Sequence, residues 1–163
     1  MEYPILFNTE MVRAIMSGQK TQTRRPVRQG WLERLKAGNK LYIRETCALD
    51  IPDSAMGVNA YIYRADCSDE MAKIYKDEGY IERWYPSIHM PQDAVRLWLE
   101  VTDIVRESLS DMSEQDARSE GFHSLADFNQ TWRSIYGNDN NMVDVISFHL
   151  LNIDLWIDYY NQL

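Results

Sequence analysis

Cysteine is scarce in this chain of 163 residues: Cys47 and Cys67 are the only two, in no CxxC spacing. That excludes a disulfide framework and a cysteine zinc site, and it suits a reducing cytoplasm. Long apolar runs are missing as well. No stretch approaches the ~18 apolar residues of a membrane helix, so no membrane partner is expected. The opening MEYPILFNTE has neither the basic n-region nor the apolar h-region of a secretory leader. Only three histidines occur, His89, His123 and His149, without ligand spacing, so neither a metal nor a cofactor is expected. The Walker loop, GxGxxG, HExxH and GxSxG are all absent, which dismisses the chemistries those motifs carry.

What is present is the composition of one globular domain, 45% hydrophobic and 26% charged. The charge is unevenly spread. The whole chain carries −8, yet residues 13–44 hold nine basic groups and a single acid, Glu33. Residues 100–163 hold three bases and twelve acids. Salt screens fields beyond ~8 Å, so the basic segment can attract an anion despite the acidic total. The acidic half offers an interaction surface for a partner protein, although solubility accounts for it equally well.

Patterning gives the elements. Pro4 to Asn8 reads as a lead-in, and Asn8 or Thr9 can cap a helix through Ser17 that Gly18 ends. KTQTRRP is β-capable and stops at Pro26, and Gln29–Lys36 reads as a short helix before the turn Ala37-Gly38-Asn39. Lys40–Thr46 alternates as a strand, and Tyr61–Ala65 reads as another. Ser68–Glu78 reads as a short exposed helix, followed by an aromatic loop over 83–91. Val95, Leu97, Leu99 and Val101 alternate with Arg96, Trp98, Glu100 and Thr102 as a long strand. Ser113 and Ser124 each cap a helix, the second ended by Gly137, and Met142–Leu151 is a strong strand. The tail 152–163 is acidic and aromatic. Strands interspersed with short helices, without βαβ alternation, predict an α+β fold around a small mixed or antiparallel barrel.

Chemistry concentrates in two places. In Ser17–Arg25, Lys20 lies near two permanently charged arginines, which disfavours its ammonium and moves it toward a usable base. Thr23 supplies a hydroxyl that can attack a carbonyl once a base takes its proton. In an extended chain positions 20 and 23 face opposite sides, so joint action requires a bend between them. The second place is Glu120, in the last turn of a predicted 113–120 helix, where the helix dipole disfavours a carboxylate by ~0.3–1 kcal/mol. An acid held there and partly buried is suited to proton shuttling.

SGQKTQTRRP, GNKLYIRET and SEQDARSEGF, followed by a helix and a final strand, resemble the ASCH superfamily. The resemblance spans residues 4–150 and is greatest to ASCH proteins of phages and prophages, which share the PSIHMP loop and the YRAD segment. It implies a PUA-like fold, a small mixed β-barrel with flanking helices and a cleft suited to a nucleoside or RNA. The smallest bacterial members remove acetyl from 4-acetylcytidine with a lysine, a threonine and a glutamate. Their GxKTxTxR pattern falls on Gly18, Lys20, Thr21, Thr23 and Arg25, and their glutamate on Glu120. The implied roles are Lys20 as general base, Thr23 as nucleophile and Glu120 as proton donor to the leaving amine.

Arg24, Arg25 and Arg44 are the candidates to steady an oxyanion or phosphate, and Tyr63 and Trp84 to stack a base. Glu45, Arg64 and His89 complete the candidate substrate-binding set. This chain departs from the compact amidohydrolases by an insertion over about 47–94, and Cys47 stands where related phage proteins carry Trp. Other ASCH members resemble RNA-binding or RNA-cleaving proteins, so a binding module for RNA or a modified nucleotide is the alternative to an amidohydrolase.

Overall fold

Asn8 starts the first helix by accepting the Met11 amide on its side-chain oxygen at 2.8 Å, and α1 runs over Thr9–Met16. Gly18, at φ +74°, then turns the chain out of the helix. The computed structural model that shows this describes residues 1–27, 30–49, 61–137 and 142–151. The tail 152–163 lies outside the described residues, as do parts of the 29–36 and 47–94 segments.

The strands are β1 (Glu2–Leu6), β2 (Gln22–Pro26), β3 (Lys40–Arg44), β4 (Cys47–Leu49), β5 (Tyr61–Tyr63), β6 (Trp98–Ser108) and β7 (Met142–Leu151). Five form one sheet in the order β1-β3-β6-β7-β2, and β4 and β5 form a second, antiparallel pair. Helices α2 (Asp69–Asp77), α3 (Glu114–Ser119) and α4 (Leu125–Tyr136) complete an α+β fold. The sheet is open rather than a closed barrel: β1 and β2 stand at the two ends of the order. Each terminal strand is five residues long and contains a proline, Pro4 or Pro26, which has no amide to donate to a further ladder.

Several expectations shift at the edges. The lead-in over Pro4–Asn8 is partly strand β1. The strand expected over Tyr61–Ala65 stops at Tyr63, and Arg64–Asp66 forms a 3-10 turn instead. The short helix near 29–36 is a 3-10 turn over Trp31–Arg34. The long strand begins at Trp98 and continues to Ser108, past a register shift between Val101 and Asp103 that inserts Thr102 as a bulge.

The chain forms two compact units. One comprises Met1–Tyr3, Ala14–Leu41 and Leu97–Leu163. Its strand β7 is buried on both faces and pairs antiparallel with β6 and β2. Ala117 of α3, Phe128 and Trp132 of α4, and Met112 pack with Val143 and Val145 of β7. Phe128 stacks on Trp132 at 5.6 Å, and truncating either ring would cost about 3–5 kcal/mol. Ser113 caps α3 reciprocally with Asp116, and Ser124 caps α4 by accepting the Asp127 amide.

The other unit comprises Pro4–Arg13 and Tyr42–Arg96. Cys47, Met90 and Ala94 form one buried cluster in it, with Tyr61, Tyr63 and Val95 packed around them. Cys47 and Tyr85 exchange backbone hydrogen bonds, at 3.2 and 2.7 Å, which fastens the aromatic loop to β4.

Candidate active site

Lys20 reaches its place because the chain doubles back after Gly18. Its amide donates to the Ala14 carbonyl at 2.9 Å, and the next amide, of Thr21, donates to Ser119 of α3 at 2.8 Å. Lys20 therefore stands before β2 begins at Gln22, and strand alternation does not govern where its side chain goes. Gly121 makes room for it. A Cβ there would lie 2.9 Å from the Ala14 Cβ and 3.3 Å from the Lys20 Cβ, and φ is +88°, where side chains are rarely tolerated.

The Lys20 ammonium donates to Oε2 of Glu120 and to the Glu120 backbone carbonyl, both at 2.8 Å. Glu120 is the C-cap of α3, so the cation neutralises a carboxylate and satisfies a helix-end carbonyl together. Neither side chain is more than 2% exposed. Burial pulls the Lys20 amine below its ordinary range; Glu120 resists this, while Arg25 and Arg24 add to it.

Arg24 grips the same carboxylate from the other side. Its Nη1 donates to Glu120 Oε1 at 3.2 Å, and its Nη2 and Nε donate to Glu107 Oε1 at 2.7 and 3.2 Å. Asp116 Oδ1 lies 3.3 Å from the same Nη2 and accepts the Gln22 amide at 3.2 Å. Although burial opposes ionisation of Asp116, hydrogen bonds from Ser113 and Gln22 and the Arg24 charge hold it well below the usual carboxylate range. Along β2, alternation sends Gln22 and Arg24 to the face that meets α3. Thr23, buried and paired with Ile146, turns to the other face.

Most of the remaining candidates have partners of their own. Arg24, expected to bind substrate, has its guanidinium engaged by three carboxylates. Arg25 donates to the Arg24 carbonyl at 3.3 Å. In the second unit, Arg44 donates to the carbonyls of Ile88 and Met90, both at 2.8 Å, and so holds the PSIHMP loop. Glu45 is buried and gripped by Arg96 through two bonds of 2.8 and 3.0 Å, and Arg96 also pairs with Asp66. Burial nevertheless pushes the Glu45 carboxyl up, against the pull of Arg96. Tyr63 lies under the Arg96 guanidinium at 3.8 Å and donates to the Ala94 carbonyl. Arg64 pairs with Asp69 and lies 6.0 Å from the ring of half-buried Trp84. His89 is exposed at the end of a 3-10 turn. Among the described residues, no group of three His, Cys, Asp or Glu could hold a metal ion.

Three residues of these networks escape a sequence reading. Asp116 carried a usable signal, since the spacing Ser113-x-x-Asp116 is that of a capping box. Glu107 and Arg96 carried none. The first lies past the bulge where alternation is reset, and the second reads as an ordinary polar position of a strand.

The architecture places this chain among small α+β proteins with an open five-stranded sheet. The crystal structure of hypothetical protein PH0355 matches with a TM-score of 0.52 at 13% identity, over 93% of this chain and 100% of that one. The crystal structure of an ASCH domain from Lactobacillus crispatus matches with a TM-score of 0.51 at 13% identity, over 91% of this chain and 79% of that one. No protein-family model and no curated protein matches the sequence. The fold of this chain is that of an ASCH domain.

Proposed function

We propose that this chain is an ASCH-superfamily amidohydrolase that converts an N-acylated cytidine-type nucleoside, 4-acetylcytidine, to cytidine and acetate. The observation that carries the reading is the buried Lys20–Glu120 pair, which holds a proton on a 2.8 Å hydrogen bond between a base and an acid. Moving that proton from Nζ to Oε2 produces a neutral amine and a carboxylic acid at once. Those are the two forms that amide cleavage needs.

Because alternation sets Thr23 on the face of β2 away from Arg24, the next step requires a turn of the chain between positions 20 and 23 that brings the hydroxyl to Nζ. Lys20 then takes the proton of Thr23 Oγ1 as that oxygen bonds to the acetyl carbon. The carbonyl electron pair moves to oxygen, giving a tetrahedral oxyanion. Its collapse breaks the bond from carbon to the cytidine nitrogen, and Glu120 delivers its proton to that nitrogen. Cytidine leaves and an acetyl-threonine ester remains, with the pair again ammonium and carboxylate. Water attacks the ester carbon, its proton passing to Glu120 while Lys20 returns a proton to Thr23 Oγ1. Acetic acid departs, and the neutral pair reverts to the ionic one by passing its proton back. Every proton taken is returned, so the cycle closes without a further reactant.

The test is incubation of purified protein with 4-acetylcytidine and chromatographic detection of cytidine. The wild type should release it. Lys20→Ala, Glu120→Gln and Thr23→Val should each lower kcat by about 100-fold or more. No release by the wild type would remove this substrate, and full activity in Thr23→Val would make water the direct nucleophile.

A second reading, a binding module for RNA or a modified nucleotide, draws on the aromatic loop. There Arg83 stacks over Tyr85 at 4.7 Å, a basic and aromatic face that suits an unpaired base. Affinity for short RNAs that weakens steeply with salt would support it, and no measurable affinity would oppose it.

A further inference from the structure

Arg24 has the composition of an anion-binding residue and the surroundings of something else. Its guanidinium is buried and spans from Glu120 on the inner side to Glu107 and Asp116 on the outer side. Side-chain exposure rises along this line, from 0% at Lys20 and 2% at Glu120 to 29% at Glu107 and 33% at Asp116. The two oxygens of Glu120 are divided between two cations, Oε2 to Lys20 and Oε1 to Arg24. A carboxylate bonded at one oxygen alone can rotate about its last bond; one bonded at both cannot.

We propose that Arg24 is a positioning residue, which orients Glu120 so that Oε2 stays on the Lys20 amine, and that Glu107 and Asp116 anchor it from outside. Arg24 touches no substrate in this assignment. It acts through Glu120 and rests on the reading of Lys20 and Glu120 as the proton-carrying pair. The planar fork matters as much as the charge. A lysine at position 24 would keep the cation but could not bond to carboxylates on opposite sides in one plane.

Two readouts test this on the full chain. With 4-acetylcytidine, Arg24→Lys should lower kcat by about 100-fold with KM held within about twofold, the signature of misplaced groups rather than lost binding. By NMR, the hydrogen exchange of the Lys20 ammonium with water should be slow in the wild type and at least about tenfold faster in Arg24→Lys. Glu107→Gln, a half-exposed change that leaves the Arg24–Glu120 bond in place, should move both readouts in the same direction by a smaller factor. It keeps the test open should Arg24→Lys not fold.

A raised KM with unchanged kcat would make Arg24 a substrate anchor and overturn the proposal. So would an unchanged Lys20 exchange rate in both variants. If the wild type does not turn over 4-acetylcytidine, the proposed reaction is lost, and the exchange measurement still decides for or against the positioning role.

Discussion

Replacing Glu120 by glutamine tests the electrostatic reasoning most directly. The substitution keeps shape and volume but removes the negative charge that faces Lys20 Nζ at 2.8 Å and Arg24 Nη1 at 3.2 Å. At that separation and an effective dielectric near 20, the attraction to Lys20 alone is about 6 kcal/mol. Dehydrating both ions offsets part of it, and breaking one buried pair from one side costs about 3–5 kcal/mol. A chain of this length loses about 2–4 °C of thermal midpoint per kcal/mol, so the expected drop is about 6–20 °C.

The loss should depend on pH, with a definite sign. The folded Lys20 amine already lies below 10.5, so between its folded and unfolded values the folded state binds fewer protons. Stability therefore rises with pH across that window. Removing Glu120 takes away the main influence that raises the Lys20 value and widens the window downward. The gap between Glu120→Gln and wild type, measured by thermal denaturation, should narrow from pH 7 to pH 10. A midpoint change under about 2 °C, or a gap of constant size across that range, would refute the reasoning.

Further expectations follow from the same geometry. Gly121→Ala should destabilise by about 1–3 kcal/mol in urea titration, since the new methyl meets Ala14 and Lys20 at a backbone angle disfavoured for side chains. Arg96→Met should cost about 3–5 kcal/mol at neutral pH by leaving Glu45 buried without its cation. Glu45 is already pushed up, and without Arg96 it rises further, so the folded form binds an extra proton as pH falls. The deficit of that variant should shrink between pH 7 and pH 5, and a deficit that grows would contradict the assignment. Ser113→Ala should cost about 1 kcal/mol through the lost cap. It also frees Asp116 to titrate nearer its ordinary value. The penalty should therefore be present above pH 4 and fade at lower pH, as read from acid unfolding curves.

Local signals made much of the fold legible. Asn8, Ser68, Ser113 and Ser124 announced helix starts because capping chemistry is written in one or two side chains. Leu41 and Ile43 announced a buried strand face because alternation repeats every second residue, and both are fully buried. What escaped was non-local. The bulge at Thr102 depends on how β6 meets β7, and the shortening of Tyr61–Ala65 depends on its pairing with β4. At the candidate site, Lys20 and Glu120 could be singled out because an amine among arginines and an acid at a helix end are locally costly. Arg24 looked equally available to a ligand, and only the partners Glu107 and Asp116, over eighty residues away, reveal that it is already occupied.

The encoding of this cluster bears on how the chain can diverge. Lys20, Arg24, Glu107, Asp116 and Glu120 all belong to the stretches Ala14–Leu41 and Leu97–Leu163, and none to Tyr42–Arg96. Insertions, deletions or wholesale replacement between residues 42 and 96 would leave every member of the charged array in the gene. Descendants could thus trade the middle of the sequence for new recognition elements while inheriting the proton-handling parts unaltered.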